Sequence, residues 1–232
     1  MPFLEPNIEI TADGTPTLRH PLFGDSYHSL NGAVTESRHV FIEAGVRYWL
    51  AEEQSARKEQ GNDEPIRILE IGFGSGLNAW LTLCEAEASG RQIEYTAIER
   101  YPVSPRVAAR LQYTDDPLFM RLHDTAWGGR QPISPHFTLE KIEADLGDCH
   151  FDATFDLIFF DAFAPATQPE LWSEAVFGKL FAHAVQGGAL VTYSARGSVK
   201  QALRATGWEV QRLPGAPGKR HMLRARKREI FI

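Results

Sequence analysis

The stretch Arg67-Ile68-Leu69-Glu70-Ile71-Gly72-Phe73-Gly74-Ser75-Gly76-Leu77-Asn78 narrows the choice of fold more than any other in this chain. A short apolar run after Pro65 has the length of a buried strand. Three alternating glycines break it, and Trp80, Leu81 and Leu83 then follow at helical spacing. Strand, glycine turn and helix N-terminus together make a place where backbone comes close to a ligand and the helix dipole faces it. Glycine there permits a positive φ and leaves no Cβ in the way. A dinucleotide fingerprint needs a third glycine three residues after the second, and that position is Leu77. The turn points to a nucleoside ligand, and away from a dinucleotide.

The flanking segments alternate strand and helix. Residues 8–11 and 15–18 flank Asp13-Gly14, a hairpin turn signal. A polar loop over 24–32 leads into a helix from Thr35, with Val40, Phe41, Ala44, Tyr48 and Trp49 at helical spacing, ending in a charged linker over 52–64. After the glycine turn come a helix over 77–88 and a strand over 94–99. Glu99 at that strand's end is placed to accept hydrogen bonds from ribose hydroxyls, the alternative being a plain surface strand end. Helices over 102–111 and 117–127 precede a strand over 137–143. Asp145 follows, a candidate for a base amino group or simply the start of the turn at Gly147. The apolar run 155–160 reads as a buried parallel strand and ends on a charge, Asp161. A helix from Pro169, a strand over 187–194, a helix over 197–205 and a closing strand pair over 208–213 and 221–226 complete the chain. This rhythm predicts an α/β fold with a mainly parallel, seven-stranded sheet. We expect residues 1–60 to form an extension of hairpin, loop and helix, and residues 61–232 to form the ligand-binding domain.

Composition closes several function classes. With 43% hydrophobic and 23% charged residues the chain is ordinarily globular, and no apolar run approaches a membrane span. The first residues lack the basic and apolar regions of a signal peptide. Cys84 and Cys149 make neither a disulfide framework nor a metal site, and no histidines stand at metal-ligand spacing. A cytoplasmic protein without metal or membrane partner is expected. The net charge of −6 argues against a surface that is basic throughout, yet Arg196, Lys200, Arg204, Arg212, Lys219, Arg220, Arg224, Arg226, Lys227 and Arg228 crowd the C-terminal region. Such asymmetry supplies phosphate contacts despite an acidic total, or else a solvated basic tail.

Glu70-x-Gly72-x-Gly74-x-Gly76 resembles the first motif of class I S-adenosylmethionine methyltransferases. The chain as a whole resembles a narrower family, the methyltransferase domain of the bifunctional tRNA-modifying enzyme MnmC and its stand-alone form MnmD. The similar blocks include Tyr27…Asn31-Gly32…Thr35-Glu36-Ser37-Arg38, the glycine turn through Asn78, Glu99-Arg100-Tyr101-Pro102 and Gly218-Lys219-Arg220-His221-Met222-Leu223. Most specific is Phe160-Asp161-Ala162-Phe163-Ala164-Pro165-Ala166-Thr167-Gln168-Pro169-Glu170-Leu171-Trp172. There the bifunctional enzymes carry Gly at 162 and Lys-Asn at 167–168.

The resemblance implies a class I methyltransferase fold. It also implies S-adenosyl-L-methionine as cofactor, held by Glu70, Gly72, Gly74, Gly76, Asn78, Glu99 and Asp145. The implied reaction is N-methylation of 5-aminomethyl-(2-thio)uridine at the tRNA wobble position. Asp161 is then the catalytic residue, with Phe163 and Pro165 walling the uridine. Tyr27 and Asn31 are further substrate contacts on a segment that, with Glu36, folds over the site, unless that loop is a plain helix cap. The basic C-terminal surface would meet tRNA. The bifunctional family's flavin-dependent oxidase domain has no counterpart in these residues, which points to a separate oxidase as partner. A carboxylate beside an amine favours the unreactive ammonium, so Asp161 helps as a hydrogen-bond orienter or a proton route. Competing readings are a methyltransferase acting on another amine or nucleic-acid position, a non-catalytic RNA-binding module, and, disfavoured by Leu77, an NAD-dependent oxidoreductase.

Overall fold

Alternate residues of the central strands point to opposite sides of a sheet that is covered on both faces, which is why those strands are apolar throughout. The computed structural model describes residues 5–57 and 64–228. A hairpin pairs β1 (Asn7–Ile10) with β2 (Pro16–Arg19). The main sheet contains β3 (Ile66–Ile71), β4 (Ile93–Glu99), β5 (Arg130–Ser134), β6 (Phe137–Glu143), β7 (Phe155–Phe160), β8 (Ala184–Thr192), β9 (Glu209–Pro214) and β10 (His221–Arg226). Its spatial order is β5-β6-β4-β3-β7-β8-β10-β9. The five central strands, β6 to β8, are parallel, and β5 and β10 pair antiparallel at either side. The chain moves outward from β3 through β4 to β6, then returns to the other side of β3 with β7. The carboxyl ends of β3, β4 and β7 therefore open a crevice at a topological switch point, where open α/β sheets bind ligands.

Ile68, Leu157, Phe159 and Val191 face one layer, built from the long N-terminal helix and α3 (Leu77–Ser89), with Phe119 and Leu122 of α5 (Pro117–Asp124). Leu69, Ile158, Phe160 and Leu190 face the other, where Phe177 and Leu180 of α6 (Glu174–His183) and Val199 and Leu203 of α7 (Gly197–Ala205) are buried.

The structure corrects the sequence reading in several places. The sheet has eight strands instead of seven, because residues 130–134 form the edge strand β5. No element is expected from the sequence between residues 127 and 137, and an edge position tolerates Pro132, which cannot donate to the ladder. The helix expected over 102–111 shrinks to α4 (Pro105–Ala108), capped by Ser104. The helix expected from Pro169 begins as a 3₁₀ turn, Pro169–Trp172, before Ser173 caps α6. Residues 52–57 of the expected charged linker continue the N-terminal helix, and residues 58–63, with the boundary at 60, lie outside the described residues.

The long N-terminal helix departs most from expectation. It runs through α1 (Ala33–Ser37), a π-helical segment Arg38–Arg47 and α2 (Tyr48–Arg57). Its buried positions are Ala33, Glu36, Ser37, Val40, Phe41, Ile42, Gly45 and Val46, which form one face. The segment rests on the sheet through Gly45, where a Cβ would stand 3.1 Å from Phe159 Cε1 and 3.4 Å from Val191 Cγ2. Across the start of α1, Asp13 of the hairpin accepts from Thr35 N at 3.1 Å and from Thr35 Oγ1 at 2.8 Å. Burial alone would raise the Asp13 carboxyl, but hydrogen bonds from Thr15, Thr11 and Thr35 hold it well below the usual carboxylate range.

No helix among the described residues is long and apolar enough to cross a membrane. Because Gly45 leaves no room for a side chain, Gly45→Leu is expected to lower stability by about 1–3 kcal/mol through overpacking. Urea unfolding measures it.

Candidate active site

The glycine turn begins where β3 ends. Ile71 O accepts from Asp161 N at 3.0 Å, and Gly72 N donates to Ile98 O at 2.9 Å, so the turn leaves the sheet between β4 and β7. Gly72 has φ +93°, and a Cβ on it would lie 2.8 Å from the carbonyl oxygen of Asp161. Gly74 has φ +51°, and there a Cβ would meet the Tyr27 ring at 2.9 Å. At these two positions glycine is required both by conformation and by space.

Glu99, at the end of β4, fastens the turn. Its Oε2 accepts from Gly74 N at 3.0 Å and its Oε1 from Tyr101 N at 2.7 Å. Burial raises the Glu99 carboxyl, opposed by those backbone hydrogen bonds. Beneath the turn, His123 Nε2 bonds Ser75 O at 3.1 Å, and Lys141 Nζ donates to His123 O at 2.9 Å. Burial and the charge of Lys141 bring His123 down to about 4, so a neutral ring donates to Ser75 O.

Asp161 stands across the crevice at the end of β7. Its Oδ2 accepts from Asn78 Nδ2 at 2.8 Å, and the same amide donates to Glu70 Oε1 at 3.0 Å. Asn78 thus spends its donors on two carboxylates. Burial, then the nearby charge of Glu36, pushes Asp161 up to about 7. Glu70, fully buried, is raised well above the ordinary range, again by burial. The loop after Asp161 is pinned by Tyr193 Oη donating to Ala162 O at 2.9 Å and by Trp172 Nε1 donating to Phe163 O at 2.8 Å. Thr167 Oγ1 ties it to Asp25 Oδ2 at 2.9 Å.

These groups surround a cavity of about 400 Å³, within the range of roughly 300–1,000 Å³ for small-molecule sites. Gly72, Gly74, Asn78, Glu99, Asp145, Asp161, Phe163 and Tyr27, all expected from the sequence, line it. Four other expected site residues do not. Glu70 lies behind Asn78. Gly76 turns toward His123, 2.8 Å from where its Cβ would be. Pro165 is outside the lining. Asn31 packs on Gly218 at an exposed position. Asp145 reaches the cavity with its oxygens already bonded, to Arg100 Nη1 at 2.6 Å and to Gly147 N at 2.9 Å.

Several lining residues escape sequence reasoning because they come from distant segments. Tyr101 lines the cavity, and Phe163 packs edge-on against Tyr27 of the N-terminal segment at a centroid distance of 5.1 Å, giving it an aromatic rim. Glu36 accepts from Ser29 N at 2.7 Å and pairs with Lys219 Nζ at 2.5 Å. Lys219 in turn lies 4.2 Å from the Tyr193 ring centroid. Gln168 is buried in the wall.

Half of the ten basic C-terminal residues have partners within the protein. Besides Lys219, Arg224 lies 3.3 Å over the Tyr48 ring, and Arg226 bonds Tyr48 Oη at 3.0 Å. Lys227 donates to the carbonyls of Phe181 and Ala184, and Arg228 pairs with Glu209. Arg196, Lys200 and Arg204, spaced four apart along α7, meet no carboxylate among the described residues. No group of three or more His, Cys, Asp or Glu among the described residues could hold a metal ion.

Asp161 makes stability pH-dependent in a definite direction. Its folded value of about 7 lies above the unfolded 3.8, so the unfolded carboxyl sheds its proton first and stability falls as pH rises between the two. Asp161→Asn is therefore expected to raise the thermal midpoint at about pH 8, with the gain vanishing below about pH 4. Calorimetric melts across that range measure it.

A profile of the S-adenosyl-L-methionine-dependent methyltransferase family matches residues 136–228. The chain is 33% identical, over 99% of its length, to the tRNA 5-methylaminomethyl-2-thiouridine biosynthesis bifunctional protein MnmC of Aromatoleum aromaticum, covering 37% of that protein. To the protein of the same name from an Azoarcus species it is 32% identical over 97% of its length, covering 36%. The chain thus spans about a third of the length of the curated relatives it matches. MNMC2 from Aquifex aeolicus superposes with a TM-score of 0.74 at 25% identity, over 99% of this chain and 73% of that one. The citrinin polyketide synthase CMeT domain shares the fold alone, with a TM-score of 0.50 at 14% identity over 80% of this chain and 52% of that one. With a shared fold, a matching profile and similarity running almost end to end, the chain is similar to the S-adenosyl-L-methionine-dependent methyltransferases and, among them, to the MnmC proteins.

Proposed function

We propose that the chain methylates the amine of 5-aminomethyl-(2-thio)uridine at the wobble position of tRNA, giving the 5-methylaminomethyl form. One observation carries this reading: Asp161 and the glycine turn share a single cavity with an aromatic rim, in a chain similar along 99% of its length to a protein of 5-methylaminomethyl-2-thiouridine biosynthesis. The aminomethyl group would be delivered by a separate flavin-dependent oxidase.

The donor set suits S-adenosyl-L-methionine. Glu99 and Asp145 are carboxylates at neighbouring strand ends, matched to ribose hydroxyls and a base amino group, and the backbone at Gly72 and Gly74 allows close approach. When bound, this cofactor supplies a methyl group on a positively charged sulfur that departs as a neutral thioether. The protein's part is chiefly positioning, worth up to about 7–11 kcal/mol in favourable cases. Phe163, Tyr27 and Tyr101 hold the uracil ring, and Asp161, fixed by Asn78, orients the amine and takes its proton. A carboxyl pushed up to about 7 is a better proton acceptor than an ordinary aspartate near neutral pH. Asp161 therefore acts as a base as well as an orienter. The face of α7 carrying Arg196, Lys200 and Arg204 follows the RNA backbone.

Incubating the protein with labelled S-adenosyl-L-methionine and tRNA that lacks the methyl group, then digesting to nucleosides, is expected to yield labelled 5-methylaminomethyl-(2-thio)uridine. Asp161→Ala is expected to lower turnover by about 10²–10⁴-fold with cofactor affinity retained. Near-normal turnover would remove Asp161 from the mechanism. Replacing Arg196, Lys200 and Arg204 together by Ala is expected to flatten the slope of log affinity for tRNA against log salt by roughly 2–3, as for three lost phosphate contacts.

A further inference from the structure

Within the reading above, one charged pair in the cavity wall is left without a role. Glu36 of α1 and Lys219 of the loop between β9 and β10 form an ion pair at 2.5 Å that lines the same cavity as Asp161. Glu36 is buried and has a structural task, since its Oε2 holds Ser29 N and with it the segment carrying Tyr27 over Gly74. That task brings a second carboxylate to the Asp161 end of the cavity. Two carboxylates there would bind an amine as its ammonium, which has no lone pair for attack on a methyl group.

We propose that Lys219 is a positioning residue for methyl transfer: held between Glu36 and the Tyr193 ring, it cancels the Glu36 charge and disfavours a second cation beside Asp161, so that the acceptor amine resides there as the free base. The proposal rests on the amine reading of the substrate. The proton balance is complete with groups already present. An arriving ammonium gives one proton to Asp161, and the nitrogen lone pair forms the new N–C bond as the C–S bond breaks with its pair left on sulfur. The product leaves as its methylated ammonium, and Asp161 returns its proton to solvent before the next turnover.

Three kinds of neighbour surround Asp161 besides this pair. Asn78 of α3 donates to it, and Glu70 of β3 lies behind that amide. Tyr193, just after β8, and Tyr95 of β4 are phenols raised by burial and, with Glu70 and others, by the Asp161 charge. The charge of Lys219 lowers the Asp161 carboxyl and that of Glu36 raises it. The two partners therefore push in opposite senses, and a role limited to holding the fold would not reproduce that.

The test is a double-mutant cycle on the whole chain, using tRNA bearing 5-aminomethyluridine. The single-turnover rate is read against pH with both substrates saturating, which reports groups in the complex. Lys219→Met is expected to move the acid limb up by about one pH unit, and Glu36→Gln to move it down by a similar amount, the lower end of what a neighbouring charge does. The double variant should return close to the parent, and Lys219→Arg should keep the parent profile. A second readout needs no turnover: the Asp161 carboxyl, followed by carbon NMR in the protein alone, should titrate higher in Lys219→Met and lower in Glu36→Gln. Should Lys219→Met fail to fold, Glu36→Gln, which keeps an acceptor for Ser29 N, carries the test by itself. Limbs and titrations that coincide across the variants, or move in one common direction, overturn the proposal. A parent protein that leaves the aminomethyl tRNA unmethylated would instead overturn the substrate reading on which it rests.

Discussion

Everything at the site depends on how closely the end of β3 approaches the end of β7. Asp161 N bonds Ile71 O at 3.0 Å, and the next residue, Gly72, faces the Asp161 carbonyl at a distance no side chain could share. Parallel pairing of β3 with β7 sets this approach. The sheet order places β4 and its Glu99 on the other side of the same turn. One glycine without a Cβ therefore lets the glycine turn and the Asp161 carboxylate share a wall. The surrounding groups refine that contact. His123 supports the turn from below, Tyr193 and Trp172 hold the loop beyond Asp161, and Tyr27 covers Gly74 from above.

What could be read from the sequence is what is local. The glycine turn, Glu99 and Asp161 each end an apolar run, and a charge directly after buried strand residues is visible without any tertiary knowledge. The strand–helix alternation fails where two signals conflict. Pro132 and its preceding glycines mask β5, because a single sequence cannot tell an edge strand from a turn. The N-terminal helix was legible as a helix. Its wide π-helical turns were not, since Phe41, Ile42, Gly45 and Val46 are spaced as on an ordinary helix face. At the site, Glu70 and Gly76 belong to the motif yet lie behind the cavity, because a strand presents alternate residues to opposite faces and the turn coils its last glycine toward α5. Pro165 and Asn31 fall outside because each was placed by its neighbours in sequence.

Charge shows the same limit. Ten basic residues toward the C-terminal end suggest one electrostatic surface, but pairing divides them. Lys219, Arg224, Arg226, Lys227 and Arg228 satisfy carboxylates, rings and carbonyls of the protein. Only a periodic subset on α7 has the spacing of a contiguous outward stripe. Counting charges in a sequence therefore overstates the surface available to a polyanion.

The contact between Glu36 and Lys219 also has a consequence for assembly. It belongs to a set of bonds joining the N-terminal helix to the last strand pair, among them His39 to the Pro214 carbonyl across 175 residues and Arg224 to the Ala44 carbonyl across 180. Closing loops of that length is entropically costly and slow compared with local pairing. The glycine turn and α3 can form from neighbouring residues. The wall that holds Tyr27, Glu36 and Lys219 together cannot exist until β10 has taken its place beside β8. During synthesis the pocket is thus completed from its floor to its rim, and a ribosome must release the residues through β10 before a ligand meets a finished site.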